Sequence, residues 1–323
     1  LASIAIIGCG SLGRRHLQSL LDLDDTYELY GVDPTPASLA ATSELLPTGK
    51  TNVKLLTSLE DLPRQLDFIV VATNSRERFA VLNWLANHVS TKCIILEKVL
   101  FPNLDDYQKA LAFTQGLSTK IYVNCPRRSW DYYRDVKRLL QDQRPGSLEY
   151  RVEALDWGLC CNTIHFIDLG MWLFESQVAV VNTSGLSSKI VPAKRPGYFE
   201  INGVLKIAFK NGSSLYLESF VSDSTRKKVH TIVGETVRLN LNETDGIFTI
   251  SNGKSLEQEA IVSVPSPLQS KATLKHFREF ESSSTISLPT LKQSCSAHIP
   301  LIAALGSHFK AHLPGVVETC PIT

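Results

Sequence analysis

The segment IAIIGCGSLGRRH, Ile4 to His16, reads as a short apolar strand, a glycine turn and the first turns of an amphipathic helix. Ile4 to Ile7 is apolar on both faces, the pattern of a strand buried inside a parallel sheet. Gly8, Gly10 and Gly13 then fit G-x-G-x-x-G, and Leu17, Leu20 and Leu21 follow at helical spacing. In such a turn the first glycine permits the sharp exit from the strand, and the second lets a pyrophosphate approach the backbone. The third lets the helix pack closely on the sheet. The N–H groups of a helix opening at Ser11 and Leu12, with the positive end of its dipole, then face the phosphates. No G-K-[ST] ending follows, which argues against a nucleoside-triphosphate loop. The competing reading is a merely structural turn.

Tyr27–Val32 is a second strand ending at Asp33. Asp33 lies 20 residues after Gly13, where an acidic residue binds adenosine ribose hydroxyls and repels a 2′-phosphate. NAD is therefore the expected cofactor, with NADP left open by Arg14, Arg15 and Lys50 nearby in sequence; the bland alternative is an N-cap aspartate before a helix over 38–46. Strands at 53–56, 66–73, 92–96 and 121–124 alternate with helical patterns. One of these places Phe79, Leu82, Ala86 and Val89 on a single face, and another runs over 104–115. Ala72, Thr73 and Asn74, at the carboxyl end of a buried strand, belong beside the dinucleotide, as does Glu97 at the end of the next. This alternation predicts a doubly wound parallel sheet over residues 1–124.

Beyond residue 124 the pattern changes. After a helix over 130–140 and a Pro145-Gly146 turn, alternating strands dominate: 147–157, then 204–209 and 215–220 around Asn211-Gly212, then more between Lys228 and Val264. They predict a mostly antiparallel sheet in an α+β domain over 125–323, with a helix over 163–174 that carries His165 and Asp168. Two closing helices, over 268–282 and 291–312, are candidates to pack back on the first domain, and Pro300 is expected to kink or restart the second.

The 323 residues are long enough for two cores. Hydrophobic residues at 43% and charged residues at 20% are ordinary for a globular chain. A net charge of +1 leaves no field to attract nucleic acid or a membrane surface. The clusters Arg14-Arg15, Arg127-Arg128 and Arg226-Lys227-Lys228 read as solvated faces or local anion contacts. No apolar run approaches the ~20 residues of a membrane span, and no leader pattern precedes the first strand. Seven scattered cysteines, with no spacing suited to zinc, imply buried reduced thiols, no metal and a cytoplasmic setting.

Three features together, GCGSLGRRH (Gly8–His16), EKVL (Glu97–Leu100) and CNTIHFIDL (Cys161–Leu169), resemble the glucose–fructose oxidoreductase/inositol dehydrogenase/MocA (Gfo/Idh/MocA) family of nicotinamide-dependent oxidoreductases. The resemblance extends through ATNSRERF (72–79), CPRRSWDYY (125–133) and the helix at 289–305. It implies that Lys98, matching the lysine of E-K-P, lies beside the nicotinamide and the reacting hydroxyl. It also implies that His165 and Asp168 match the end of D-x-x-x-H-x-x-D, His165 as proton relay or substrate ligand and Asp168 as a substrate contact or a helix anchor. Two positions depart: Val99 replaces the proline, and Cys161 replaces the first aspartate. Asn162, one place later, offers a polar contact but cannot take a proton. Arg127, with Arg128 and Tyr132, is a candidate for an anionic substrate group or, equally, a solvated helix start. The function expected is an NAD-dependent oxidoreductase acting on a secondary alcohol or ketone of a sugar, cyclitol or nucleotide sugar. The alternatives are an NAD(P)-binding sensor without turnover and a reductase of a non-sugar substrate. The resemblance further implies a homodimer or homotetramer.

Overall fold

The computed structural model describes residues 2–143, 146–221, 229–252, 259–263, 268–313, 315 and 318–323. Arg226-Lys227-Lys228, Pro145 and the outer limits (Lys228, Val264) of the later strand region lie outside these residues. The chain divides into two units: 1–101, 105–124 and 267–292 form the first, and 102–104, 125–266 and 293–323 the second.

The first unit is a parallel six-stranded sheet. Its strands are β1 (Ala2–Ile7), β2 (Tyr27–Val32), β3 (Val53–Leu56), β4 (Gln65–Val71), β5 (Ser90–Leu96) and β6 (Lys120–Val123), in the order β3-β2-β1-β4-β5-β6. The order reverses direction at β1, so the crevice at its carboxyl end is the switch point where ligands bind in such sheets. Helices α1 (Ser11–Leu20), α2 (Pro36–Ser43), α3 (Ser75–His88) and α4 (Leu104–Thr114) connect the strands. Helix α2 begins two residues earlier than the pattern predicts, because Pro36 suits the first helical turn, where no N–H is needed. On α3 the expected Leu82 is buried and so is Val89 just past its end, with Phe79 and Ala86 half-buried, but the helix also buries Ser75, Arg78 and Leu85. A buried arginine is what the apolar pattern could not anticipate.

A late segment completes this unit. Helix α7 (Gln269–Ser283) packs on α1, and Phe277 sets its ring edge-on to Phe68 at 5.3 Å and Tyr27 at 5.6 Å. Ile4, Ile6, Leu17, Leu20, Phe68 and Val70 form the buried cluster around Phe277. The chain after α7 returns to the sheet, where Val123 N–H donates to Pro289 O at 2.9 Å.

The second unit is built on an eight-stranded sheet, order β14-β13-β12-β11-β7-β10-β9-β8. The strands are β7 (Glu149–Leu155), β8 (Val178–Pro192), β9 (Phe199–Phe209), β10 (Ser214–Phe220), β11 (Val229–Val233), β12 (Val237–Asn242), β13 (Ile247–Asn252) and β14 (Glu259–Val262). All neighbours are antiparallel except β10 on β7. The Asn211-Gly212 turn joins β9 and β10 as its residue types predict. The fifteen-residue β8 has no counterpart in the sequence reading. Nearly all its residues are exposed or half-buried and its register slips three times, so no clean alternation marks it. Helices α5 (Asp131–Gln143) and α6 (Leu159–Leu173) belong to this unit, and so does most of α8 (Leu291–His312), which runs through Pro300 without interruption. Among the described residues no helix is long and apolar enough to cross a membrane.

Candidate functional site

In the first unit the glycine turn is built by close backbone packing. Gly8 has φ +90, and a Cβ there would sit 2.8 Å from Thr73 N and 2.9 Å from the Ala72 carbonyl carbon. A Cβ on Gly13 would lie 1.7 Å from Gly8 O, so the third glycine is required by the fold. Gly10 differs: a Cβ on it would meet nothing within 4 Å. The space before Gly10 opens at the start of α1, whose first turn, at Ser11 and Leu12, has no side-chain cap and no acidic residue. Open space against a helix N-terminus fits a dinucleotide pyrophosphate, with the backbone as donor.

Asp33, 8% exposed, is fixed at the edge of this turn. Its Oδ2 accepts from Cys9 N–H at 2.8 Å and its Oδ1 from Thr35 N–H at 2.9 Å. Each oxygen retains a lone pair, so the turn-forming role leaves acceptor capacity for a ribose hydroxyl. Asn74 caps α3, its Oδ1 accepting from Arg76 N–H at 3.0 Å. Arg78, 1% exposed, ties Thr73 O to Val99 O and to Leu100 O, the last at 3.1 Å. It thereby joins the end of β4 to the loop that follows Lys98. Arg78 has no local signal in the sequence beyond its place in the ATNSRERF segment.

Glu97 and Lys98 stand at the carboxyl end of β5. Glu97 is 2% exposed, with His16 Nε2 at 3.0 Å from its Oε1 and the Lys98 N–H donating to its Oε2 at 3.2 Å. Asn124 Nδ2 also donates to Oε1. Burial works against the charged form, but the hydrogen bonds from His16 and Asn124 outweigh it and hold the carboxyl at about 2. Lys98 is half-buried, and the Lys98–Val99 peptide is cis.

In the second unit α6 carries His165, half-buried, and Asp168, 1% exposed. Arg128 grips Asp168 bidentately, Nε to Oδ2 at 2.9 Å and Nη2 to Oδ1 at 2.6 Å. Burial pushes the Asp168 carboxyl up to about 6 against the pull of that guanidinium. Asp168 thus anchors its helix. The start of α6 is capped by a residue from another strand: Glu200, on β9, accepts from Cys160 N–H at 2.7 Å and Cys161 N–H at 3.1 Å. A carboxylate therefore does meet Cys161, through its backbone. Glu200 escaped the sequence reading because 39 residues separate it from Cys161.

Two expected substrate contacts hold the fold together. Asn162 Nδ2 donates to Trp157 O at 2.8 Å and Gly158 O at 3.1 Å, clamping the turn into α6. Arg127 pairs with Glu243, Nε to Oε1 at 2.9 Å, and stacks over Phe166 at 4.3 Å. Its anionic partner in this structure is internal, the Glu243 carboxylate. Glu243 also accepts from Tyr133, and Tyr150 reaches His230 Nε2 at 2.5 Å. Burial opposes charge on Glu243, yet Arg127 and the other partners hold it at about 2. Lys98 belongs to the first unit and His165 to the second. Among the described residues no cluster of His, Cys, Asp and Glu is suited to a metal.

Residues 2–125 match the model of the Gfo/Idh/MocA oxidoreductase family, described by its NAD-binding Rossmann fold. No curated sequence matches the chain. Among solved structures, an oxidoreductase from Agrobacterium radiobacter in complex with NAD+, L-tartaric acid and magnesium has a TM-score of 0.73 at 16% identity, covering 96% of this chain and 97% of that one. The myo-inositol dehydrogenase of Lactobacillus casei, in complex with NAD(H) and myo-inositol, has 0.70 at 17% identity, covering 98% and 99%. A super-repressor mutant of Gal80p from Saccharomyces cerevisiae has 0.70 at 15%, covering 96% of each chain. At these identities the likeness is one of fold.

Proposed function

We propose that this chain, whose residues 2–125 belong to the Gfo/Idh/MocA oxidoreductase family with its NAD-binding Rossmann fold, moves hydride between NAD and a secondary alcohol or ketone of a sugar, cyclitol or nucleotide sugar. One observation carries the reading. Within the first unit, a glycine cradle open before Gly10 occurs together with Lys98 at the end of β5. NAD, when bound, supplies the hydride acceptor. Gly8, Gly10, Ser11, Leu12 and Gly13 hold its pyrophosphate, and Asp33 its ribose. Ala72, Thr73, Asn74 and Glu97 line the nicotinamide side. Lys98 holds the substrate oxygen and exchanges its proton, and His165 acts as relay or substrate ligand. Residues 1–124 form the cofactor domain, onto which 267–292 pack back, and the rest of 125–323 forms the substrate domain, which also carries self-association into a dimer or tetramer. The seven free cysteines suit a reducing cytoplasm.

Cys161, where the family pattern has a carboxylate, favours a second reading: an NAD(H)-binding regulator that shares its fold with Gal80p and has no turnover. The test is NAD(H) titration followed by a turnover screen on polyols, sugars and nucleotide sugars, with Lys98→Met as control. The enzyme reading expects turnover with some member of the panel and a loss of at least about 10²-fold in Lys98→Met, the scale of general acid–base catalysis. Binding without any turnover supports the regulator, and full activity in Lys98→Met removes the assigned role.

A further inference from the structure

Six residues of the first unit, His16, Glu97, Lys98, Asn124, Gln269 and Thr273, close into one polar network at the carboxyl end of β5. His16 is 1% exposed, with Nε2 at 3.0 Å from Glu97 Oε1 and Nδ1 at 2.8 Å from Thr273 Oγ1. The hydrogen positions follow from what each group can do. Carboxylate oxygens only accept, so Asn124 must present its amide nitrogen to Glu97 Oε1. The second hydrogen of that nitrogen reaches Gln269 Oε1 at 3.3 Å. Gln269 is thereby oriented with Nε2 towards His16 Nδ1 at 3.3 Å and Thr273 Oγ1 at 3.4 Å. An amide nitrogen cannot accept, so with Gln269 Nε2 donating to it Nδ1 of His16 carries the lone pair and Nε2 the hydrogen, while with Gln269 donating to Thr273 alone Nδ1 is free to donate to Thr273 Oγ1. Glu97 receives three N–H donors, from His16, from Asn124 and from the Lys98 backbone at 3.2 Å. Together they hold the carboxylate in one orientation.

A charge fixed in a buried place matters most to a ligand whose two states differ in charge. The oxidised nicotinamide ring is a cation and the reduced ring is neutral. Every other part of the cofactor is the same in both forms, so only differential interaction with the ring shifts the balance between them. We infer that Glu97 is a fixed negative charge that makes the site prefer the oxidised, cationic cofactor over the reduced one. His16, Asn124, Gln269 and Thr273 act as positioning residues that hold this carboxylate in its orientation. The inference rests on the proposed reading, which puts the nicotinamide beside Lys98.

The test is equilibrium titration of NAD+, NADH and ADP-ribose against the full chain and Glu97→Gln. Removing the charge is expected to weaken NAD+ relative to NADH by about tenfold, the scale of a unit charge acting through a partly buried path, and to leave ADP-ribose unchanged. An equal effect on NAD+ and NADH overturns the inference while leaving the cofactor site intact. Failure of the unaltered chain to bind any of the three overturns the site and the inference together. A second measurement needs no variant: benzamide adenine dinucleotide, a neutral isostere of the oxidised cofactor, is expected to bind the unaltered chain about tenfold more weakly than NAD+. Equal binding of the two overturns the inference even where Glu97→Gln does not fold.

Discussion

Gly10 and Gly13 sit three residues apart in one motif, yet they answer to different demands. Gly13 faces Gly8 O at a distance no Cβ tolerates, whereas Gly10 faces open space and has φ −63, which alanine adopts freely. Gly10→Ala is therefore expected to melt within about 2 °C of the parent, as for a surface change of a few tenths of a kcal/mol, while NAD(H) affinity falls at least tenfold. Gly13→Ala is expected to cost several kcal/mol or to prevent folding, as for overpacking against rigid backbone. Thermal melts beside a fluorescence titration separate the two. The buried carboxylates lead to a prediction in pH. Glu243 is held at about 2, below its unfolded value, so its contribution to stability is complete above about pH 4.5 and disappears as the pH falls towards 2. Chemical denaturation across pH 2–7 should show that loss, on the order of 3 kcal/mol for one such group. Glu243→Gln should flatten the curve in that window. Arg127 looks from the sequence like a free cation after a strand; its true partner lies 116 residues away and leaves no local trace.

At the scale of elements, α6 shows how a helix with no polar cap of its own is started from outside. Its N-cap is Gly158 in a left-handed conformation, without a side-chain cap. Glu200 on β9 supplies the acceptors for the first turn, and its negative charge also complements the positive end of the helix dipole. Glu200→Ala is expected to destabilise the protein by about 1–2 kcal/mol, and Glu200→Gln, which keeps an acceptor without the charge, by roughly half that. Urea midpoints at constant m-value measure both. An effect of less than a few tenths of a kcal/mol in Glu200→Ala would refute the capping role. The helix was legible as 163–174 from its apolar spacing, but its first turn was not, because the cap comes from a strand distant in sequence.

At the scale of the whole molecule, the first unit is discontinuous in sequence. Helix α7 brings Phe277 onto Phe68 and Tyr27, and it brings Thr273 and Gln269 to His16. A fragment ending at residue 124 lacks all of these contacts. It is expected to be less stable than the same fragment joined through a short Gly/Ser linker to residues 267–292, by at least the ~3–5 kcal/mol of a buried phenylalanine. Calorimetry of the two fragments is the check, and equal melting temperatures would contradict the assignment. The alternation of strand and helix made the six-stranded sheet readable with nearly its full strand limits. The return of α7 was legible as one of two closing helices that were candidates to pack back on the first domain; which of them does so was not.

By itself, the amino-acid order determined what depends on neighbours a few residues apart. This includes the strand–turn–helix at Gly8–Gly13, the placing of Asp33, the Asn211-Gly212 hairpin, and the periods that separate a parallel sheet from an antiparallel one. These signals are local because backbone sterics and side-chain periodicity act locally. Only the tertiary structure decided the partners of the buried polar groups: Glu97 with His16, Asp168 with Arg128, Arg127 with Glu243, Cys161 with Glu200. A charge removed from water must find its complement wherever the fold brings one. Those complements come from strands, helices and turns 39 to 116 residues away. The stretch IAIIGCGSLGRRH carries a cofactor turn in its local pattern, and the fold gave His16, the last residue of that stretch, its place beside the buried Glu97 carboxylate.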